Sequence, residues 1–155
     1  MKHKSIGALK KEVDKWFSLY VRERDADRLM EDMDGDSKPA GKCITCPKVR
    51  LISKMDAGHF IGRTLNILRY HKKNVNLQCK GCNGYGNGQQ YKHGRAIAEK
   101  YSPTDLQEIL DLEEQHKGKV YMWKRWELED MIEEFKQLYR EEKRINEETL
   151  WYSVD

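Results

Sequence analysis

Apolar residues recur at helical spacing at the two ends of this 155-residue chain. Leu9, Val13, Trp16, Phe17, Tyr20 and Val21 share one face, and Lys, Glu, Asp and Arg fill the other. The pattern predicts a helix from about Ser5 to Met33. Leu128, Met131, Ile132, Phe135, Leu138 and Tyr139 repeat it and predict a long helix from about Tyr121 to Asn146. Stripes of this kind serve as internal core or as a dimer face. Asp34 to Gly41 collects helix breakers and reads as a loop. Gln90 to Tyr101 reads as a helix. Ser102-Pro103-Thr104-Asp105 offers a capping serine, a proline at the first helical position and an acid in the first turn, so a further helix runs to about His116. Lys117-Gly118-Lys119 ends it.

Between Gly41 and Gln90 the helical period is lost. This stretch holds all four cysteines and seven of the eleven glycines, which predicts short strands and turns organised by a metal. The expected fold is α+β, mainly helical, in a single domain over 1–155. Residues 1–40 form an N-terminal helix and loop, 41–101 a zinc-bound core, and 102–155 the C-terminal helices.

Charged residues make up 35% of the chain and mean hydropathy is −0.92, so the core is modest and a metal or an oligomer partner is expected to help hold it. No run approaches the roughly 20 apolar residues of a membrane span. Met-Lys-His-Lys opens the chain with charge and no apolar run comes after it, which points to a cytosolic setting without a secretory signal. The net charge of +3 hides its distribution. Gly41 to Lys100 carries 12 Lys and Arg against only Asp56 and Glu99, net +10, while the remainder carries 17 basic against 24 acidic residues. A basic middle between acidic flanks suits a polyanion-binding centre; an unevenly charged but merely solvated surface is the alternative.

The cysteines form two Cys-x2-Cys knuckles, Cys43-Ile-Thr-Cys46 and Cys79-Lys-Gly-Cys82, with 32 residues between them. Each knuckle presents two thiolates from a tight turn, and two turns complete a tetrahedral S4 zinc site. Disulfides do not suit a cytosolic chain, and a redox pair normally occurs once beside a βαβ pattern that is absent here. A closed S4 site has no open coordination position, so the zinc is structural.

Chemistry therefore lies elsewhere, and Asp56-Ala-Gly-His59-Phe60, Asn74-Val-Asn76 and Cys82-Asn83 are the candidates. Hydrolysis of a phosphodiester needs a base for water, hard oxygen ligands for a divalent metal and positive charge for the backbone. His59 can act as the base. Asn83 and Asp56 offer oxygens suited to Mg²⁺ or Mn²⁺, and Asn76 can orient His59 or brace its loop. Asn83 directly follows a zinc thiolate, which fixes its position. Arg63, Arg69, Lys72, Lys73 and Lys80, with Lys92, Arg95 and Lys100 on the following helix, are candidate phosphate contacts, and their affinity is expected to fall steeply with salt. Tyr85 is a candidate for stacking at a branch point or for packing. His71, His93 and His116 have no evident partner.

Paired knuckles, a central Gly-His, Asn-x-x-Cys-x2-Cys and a following Asn resemble the HNH (ββα-metal) nuclease superfamily in its four-cysteine form. Phe17-Ser-Leu-Tyr-Val-Arg-Glu-Arg-Asp25, Asp56-Ala-Gly-His-Phe60, Asn74-Val-Asn-Leu-Gln-Cys79 and Gly86-Asn-Gly-Gln-Gln-Tyr91 bring the chain closer still to the phage lambda NinG (Rap) family of recombination nucleases. The resemblance implies a hairpin bearing His59, a helix starting near Asn83, and metal-dependent cleavage of branched DNA such as Holliday junctions and D-loops. It also implies a phage or prophage protein in a bacterial host. The phage endonuclease VII resolvases share the asparagine after the last zinc cysteine, and their build suggests a homodimer. Two departures stand out. Gly58 precedes His59 where many HNH enzymes carry an Asp ligand, and Asn83 replaces the final histidine. Asp56 shares a strand face with position 58 and is the candidate substitute. The alternatives are a non-catalytic zinc module that binds DNA junctions or a recombination protein, and a nicking endonuclease without structure preference.

Overall fold

The computed structural model describes residues 3–152. Helix α1 runs over Ile6–Arg24, capped by the Ser5 hydroxyl, which accepts from the Ala8 N–H. Strands β1 (Arg28–Glu31), β2 (Ser37–Lys42) and β3 (Val49–Leu51) form an antiparallel sheet in the order β1-β2-β3. Next come strand β4 (Met55–His59), the short helix α2 (Asn66–Arg69) and strand β5 (Val75–Cys79). β4 and β5 pair antiparallel, with Asp56 opposite Gln78, Gly58 opposite Asn76 and His59 opposite Val75. A wide helical turn over Gly81–Tyr85 leads into α3 (Gln90–Lys100), then α4 (Pro103–His116) and α5 (Arg125–Thr149).

The first helix stops nine residues short of the sequence expectation, because Asp25 turns inward. Its carboxylate accepts from the Arg24 guanidinium, from Lys100 Nζ at 2.8 Å and from the Leu77 N–H at 2.9 Å. Those long-range partners outweigh local helical preference, and the chain leaves as a hairpin. Within that hairpin only Asp32–Asp36 is a turn, closed by Asp32 Oδ1, which accepts from the Asp34 and Asp36 N–H groups. Residues 37–41, expected as loop, are strand. Pro39 is tolerated there because β3 pairs only with Ala40–Lys42.

The Ser102 cap holds, with Oγ accepting from Asp105 N at 3.0 Å, and α4 ends at His116 before Gly118 at φ 75. The last helix begins at Arg125 rather than Tyr121. Tyr121 and Trp123 sit in an extended segment where Trp123 packs on Tyr70, and the Glu127 carboxylate caps the helix by accepting from Lys124 N–H.

The two apolar stripes meet each other. Leu9, Val13, Phe17, Tyr20 and Val21 of α1 pack on Leu128, Ile132 and Phe135 of α5, with Tyr70 and Val75 closing the cluster. Both stripes thus pack on each other within the chain, with Trp16, Met131, Leu138 and Tyr139 partly buried at the edge of the cluster. A smaller apolar cluster of Ile52, Met55 and Leu77 surrounds the buried cysteines, and a third of Ile61, Leu68, Ile97 and Ile109 lies under α3 and α4. Among the described residues no helix is long and apolar enough to cross a membrane.

Candidate functional site

The cysteines converge although they come from two different sheets. Cys43 and Cys46 lie just after β2; Cys79 ends β5 and Cys82 lies one turn later. All four sulfurs lie within 4.8 Å of one another, Cys43 and Cys79 buried. Tetrahedral zinc with Zn–S bonds of about 2.3 Å needs sulfurs roughly 3.8 Å apart. The Cys46 and Cys79 sulfurs are 3.8 Å apart. Backbone N–H groups already point at the sulfurs: Cys79 N–H donates to Cys43 Sγ at 3.3 Å and Cys82 N–H to Cys79 Sγ at 3.5 Å. Burial pushes the Cys46 thiol up to about 12. A divalent cation, which would offset half the charge of four adjacent thiolates, therefore fits this cluster.

The second knuckle also anchors the turn that carries Asn83. Beside it opens a cleft of about 580 Å³ whose walls include Asp56, His59, Asn83, Asn87 and Gly88, with Asp14 and Arg63 across it. His59, at the end of β4, is half-buried. Its Nε2 lies 2.8 Å from the Arg69 carbonyl oxygen, so Nε2 carries the proton and donates, leaving Nδ1 as the acceptor nitrogen. Burial lowers the His59 pKa; the Arg69 carbonyl works against this, and the Arg63 and Arg69 charges add to it, so the ring is neutral at neutral pH. On the same wall Asn83 Nδ2 donates to Asp56 Oδ2 at 3.0 Å and Lys80 Nζ donates to Asp56 Oδ1 at 2.9 Å.

Asn76 stands apart from this cleft. It is fully buried: its Oδ1 accepts from Lys100 Nζ at 3.0 Å and Tyr101 OH at 2.9 Å, and its Nδ2 donates to the Lys73 carbonyl and faces His93 Nε2 at 3.3 Å. It ties β5 to α3 and does not touch His59. The loop behind His59 is braced by Asn74 instead. Asn74 accepts from the Ile61 N–H and donates to the carbonyls of Ile61 and Leu68, which positions the segment ending at the Arg69 carbonyl. Gly58 leaves room for Gln78: a Cβ there would sit 2.1 Å from Gln78 Oε1. The buried Gln78 in turn donates to Thr45 Oγ1 and to the Gly88 carbonyl, linking the first knuckle to the cleft.

The basic residues divide. Arg69, 15% exposed, is clamped by both oxygens of Asp14, and Lys73 and Lys100 pair with Asp105 and Asp25. These three hold the fold. Arg63 is 57% exposed, reaches Asp14 with one nitrogen at 3.2 Å and lines the cleft. Lys72 pairs with Glu134 on the surface. Lys92 and Arg95 are exposed on α3 and form no ion pair among the described residues. His93 is buried against Phe60, and burial drives its pKa down to about 4. His116 Nδ1 donates to the Leu112 carbonyl within its own helix. His71 is half-buried near Glu108 and Asp105.

Asp14 was not legible as a site residue. It lies on the polar face of α1, where an acid is ordinary, and only the tertiary fold carries it to the cleft. There it accepts from Arg69, Arg63 and the Tyr70 hydroxyl at 2.9 Å. Although burial opposes ionisation, the Arg69 and Tyr70 hydrogen bonds hold its carboxyl below the usual range.

The molecule is thus an α+β protein with a four-cysteine cluster that can bind zinc and a cleft lined by His, Asp and Asn at its edge. The family of the bacteriophage lambda NinG protein matches residues 1–147, and the chain belongs to that family. No curated protein and no solved structure matches it.

Proposed function

We propose that this chain is a metal-dependent DNA endonuclease of the HNH type that cuts branched recombination intermediates. One observation carries the reading: Asp56, His59 and Asn83 line a single cleft, and the Arg69 carbonyl leaves His59 Nδ1 as the proton acceptor. The pairing of β4 with β5, with a helical turn rooted on the second knuckle after it, supports a ββα-metal core, with α3 starting seven residues after Asn83. Preference for branches rests on membership of the NinG family.

Asp56 and Asn83 are the oxygen donors for Mg²⁺ or Mn²⁺, a small hard set that leaves room for water and phosphate. When bound, the cation stabilises charge on the phosphate and the leaving oxygen. His59 Nδ1 takes a proton from the water whose oxygen attacks phosphorus. The bond from phosphorus to the 3′ oxygen breaks, that oxygen takes a proton from solvent water, and a 5′-phosphate and a 3′-hydroxyl are left. Arg63, free of Asp14 on one side, is placed to hold the scissile strand. Coordinated cuts on two arms call for two copies. With both helix stripes buried, the exposed Val120, Met122 and Trp126 are the surface for that contact.

One observation favours the other reading, a DNA-binding zinc module without catalysis: both Asp56 oxygens already accept from Lys80 and Asn83. Cleavage of a labelled four-way junction beside a linear duplex, by zinc-loaded protein with and without added Mg²⁺, separates them. The nuclease cuts the junction only with metal, and His59→Ala binds without cutting. Binding by both proteins with no cut in Mg²⁺ or Mn²⁺ establishes the module.

A further inference from the structure

Two tyrosines beside the cleft have no packing role. Tyr85 is 96% exposed and Tyr91 78% exposed, in a chain whose core is otherwise rich in buried aromatic pairs. A large ring in water gains nothing for folding, and these two stand close in sequence.

Their backbone is held firmly. The turn that carries Tyr85 springs from the knuckle cysteine Cys82. Gly86 N–H donates to the Gly81 carbonyl at 2.8 Å and Gln89 N–H to the Gly86 carbonyl at 3.0 Å. A Cβ at Gly86 would lie 2.8 Å from the Cys82 carbonyl oxygen, so only glycine lets the turn close this tightly. Asn87, Gly88 and Gln89 then take φ of 51, 80 and 50 in succession. Two of these are not glycine, and such strain persists only where the surroundings impose it. Gln78 holds this segment by donating to the Gly88 carbonyl at 2.8 Å.

The surroundings of the rings are cationic. The Arg95 guanidinium stands over the Tyr91 ring, 5.9 Å from its centroid. Lys92 is exposed on the same helix, and neither cation has an acidic partner among the described residues. Asn83 and Asn87, each two residues from Tyr85, line the cleft with His59. Exposed aromatic faces, a guanidinium and an ammonium without acidic partners, on the segment that follows the cleft residues Asn83, Asn87 and Gly88, match the chemistry of an unstacked nucleobase with its phosphate.

We propose that Tyr85 and the Tyr91–Arg95 pair form a stacking platform for nucleobases that have left the helix stack. The ligand is DNA with unpaired or splayed bases at a discontinuity; a continuous duplex, whose bases are already stacked, offers the rings nothing. This rests on the DNA-binding reading of the cleft but not on catalysis.

The test is binding without added Mg²⁺ or Mn²⁺ and without chelator, where no strand is cut, using the full chain loaded with zinc. The probes are a gapped duplex with 2-aminopurine in the gap and a continuous duplex of the same sequence. Tyr85→Ala and Tyr91→Ala are each expected to weaken gapped-DNA binding about tenfold, the worth of one stacked base, and to leave duplex binding unchanged. Quenching of 2-aminopurine falls with Tyr85→Ala and returns with Tyr85→Phe, which keeps the ring and loses only the hydroxyl. Equal losses on both DNAs, or a Phe variant as weak as Ala, overturn the platform. So does a change in sedimentation of Tyr85→Ala, which marks the ring as a protein contact. If the wild type binds neither DNA while remaining folded, the DNA reading itself fails and the platform with it.

Discussion

Replacing Gly58 by alanine puts the smallest possible side chain at the position where many HNH enzymes carry a metal-binding Asp. The added Cβ lies 2.1 Å from Gln78 Oε1, 2.9 Å from its Cβ and 3.0 Å from its Cδ. Gln78 is wholly buried and cannot simply swing into water. To yield, it must release Thr45 Oγ1 at 3.0 Å and the Gly88 carbonyl at 2.8 Å. Each lost hydrogen bond costs about 1 kcal/mol, and overpacking a filled site adds about 1–2 kcal/mol. The expected destabilisation is about 3 kcal/mol, which lowers the melting temperature by roughly 6–12 °C in a chain of this size. Gln78→Gly removes the whole obstacle, Cβ included, so Gly58→Ala in that background costs less than about 1 kcal/mol. A double-mutant cycle by urea denaturation, with zinc held constant, measures the coupling. Equal cost of Gly58→Ala in both backgrounds refutes the steric account. The same geometry predicts that Gly58→Asp cannot restore a metal ligand without a change at position 78.

Three further outcomes are expected of the site. Stripping zinc with a strong chelator, or changing Cys79 to Ser, is expected to melt β5 and the turn that carries Asn83; circular dichroism and cleavage decline together, and retained structure after verified zinc loss contradicts this. Lys80→Gln frees Asp56 Oδ1 and is expected to tighten Mn²⁺ binding several-fold by titration calorimetry, whereas Asp56→Asn abolishes it; unchanged affinity in Lys80→Gln rules out competition between ammonium and metal. Because burial lowers the His59 pKa, the proton-accepting form dominates above that lowered value. Cleavage therefore rises with pH only on the acid side and is level through neutrality, and Arg63→Gln, which removes a nearby positive charge, moves the rise toward higher pH.

The sequence exposes what periodicity and spacing encode. The stripes of α1 and α5, the Ser102 cap and the paired knuckles can all be read locally, because each depends on residues within a few turns of one another. Long-range decisions are hidden. Arg28–Glu31 reads as a continuation of the first helix; it becomes a strand because Asp25 finds the Leu77 N–H and Lys100 more than fifty residues away. Asn76 belongs to the Asn-x-x-Cys motif, yet its partners are Lys100, Tyr101 and His93 rather than His59. Asp14 looks like one more solvated acid until the fold sets it on Arg69. A motif can thus name the residues of a site without saying which of them face it.

The pairing of α1 with α5 has a consequence for synthesis. Asn146 Nδ2 donates to the Glu23 carbonyl at 2.8 Å, and Phe135 packs on Phe17 with ring centroids 4.8 Å apart. The helix that delivers Asp14 to the cleft therefore has only Tyr70, Val75 and their neighbours to pack on until α5 has left the ribosome. A nascent chain already carrying both knuckles and His59 still lacks the helix whose Leu128, Ile132 and Phe135 pack on α1. Contacts spanning more than a hundred residues close late in folding. The packing behind the helix that carries Asp14 is therefore completed last.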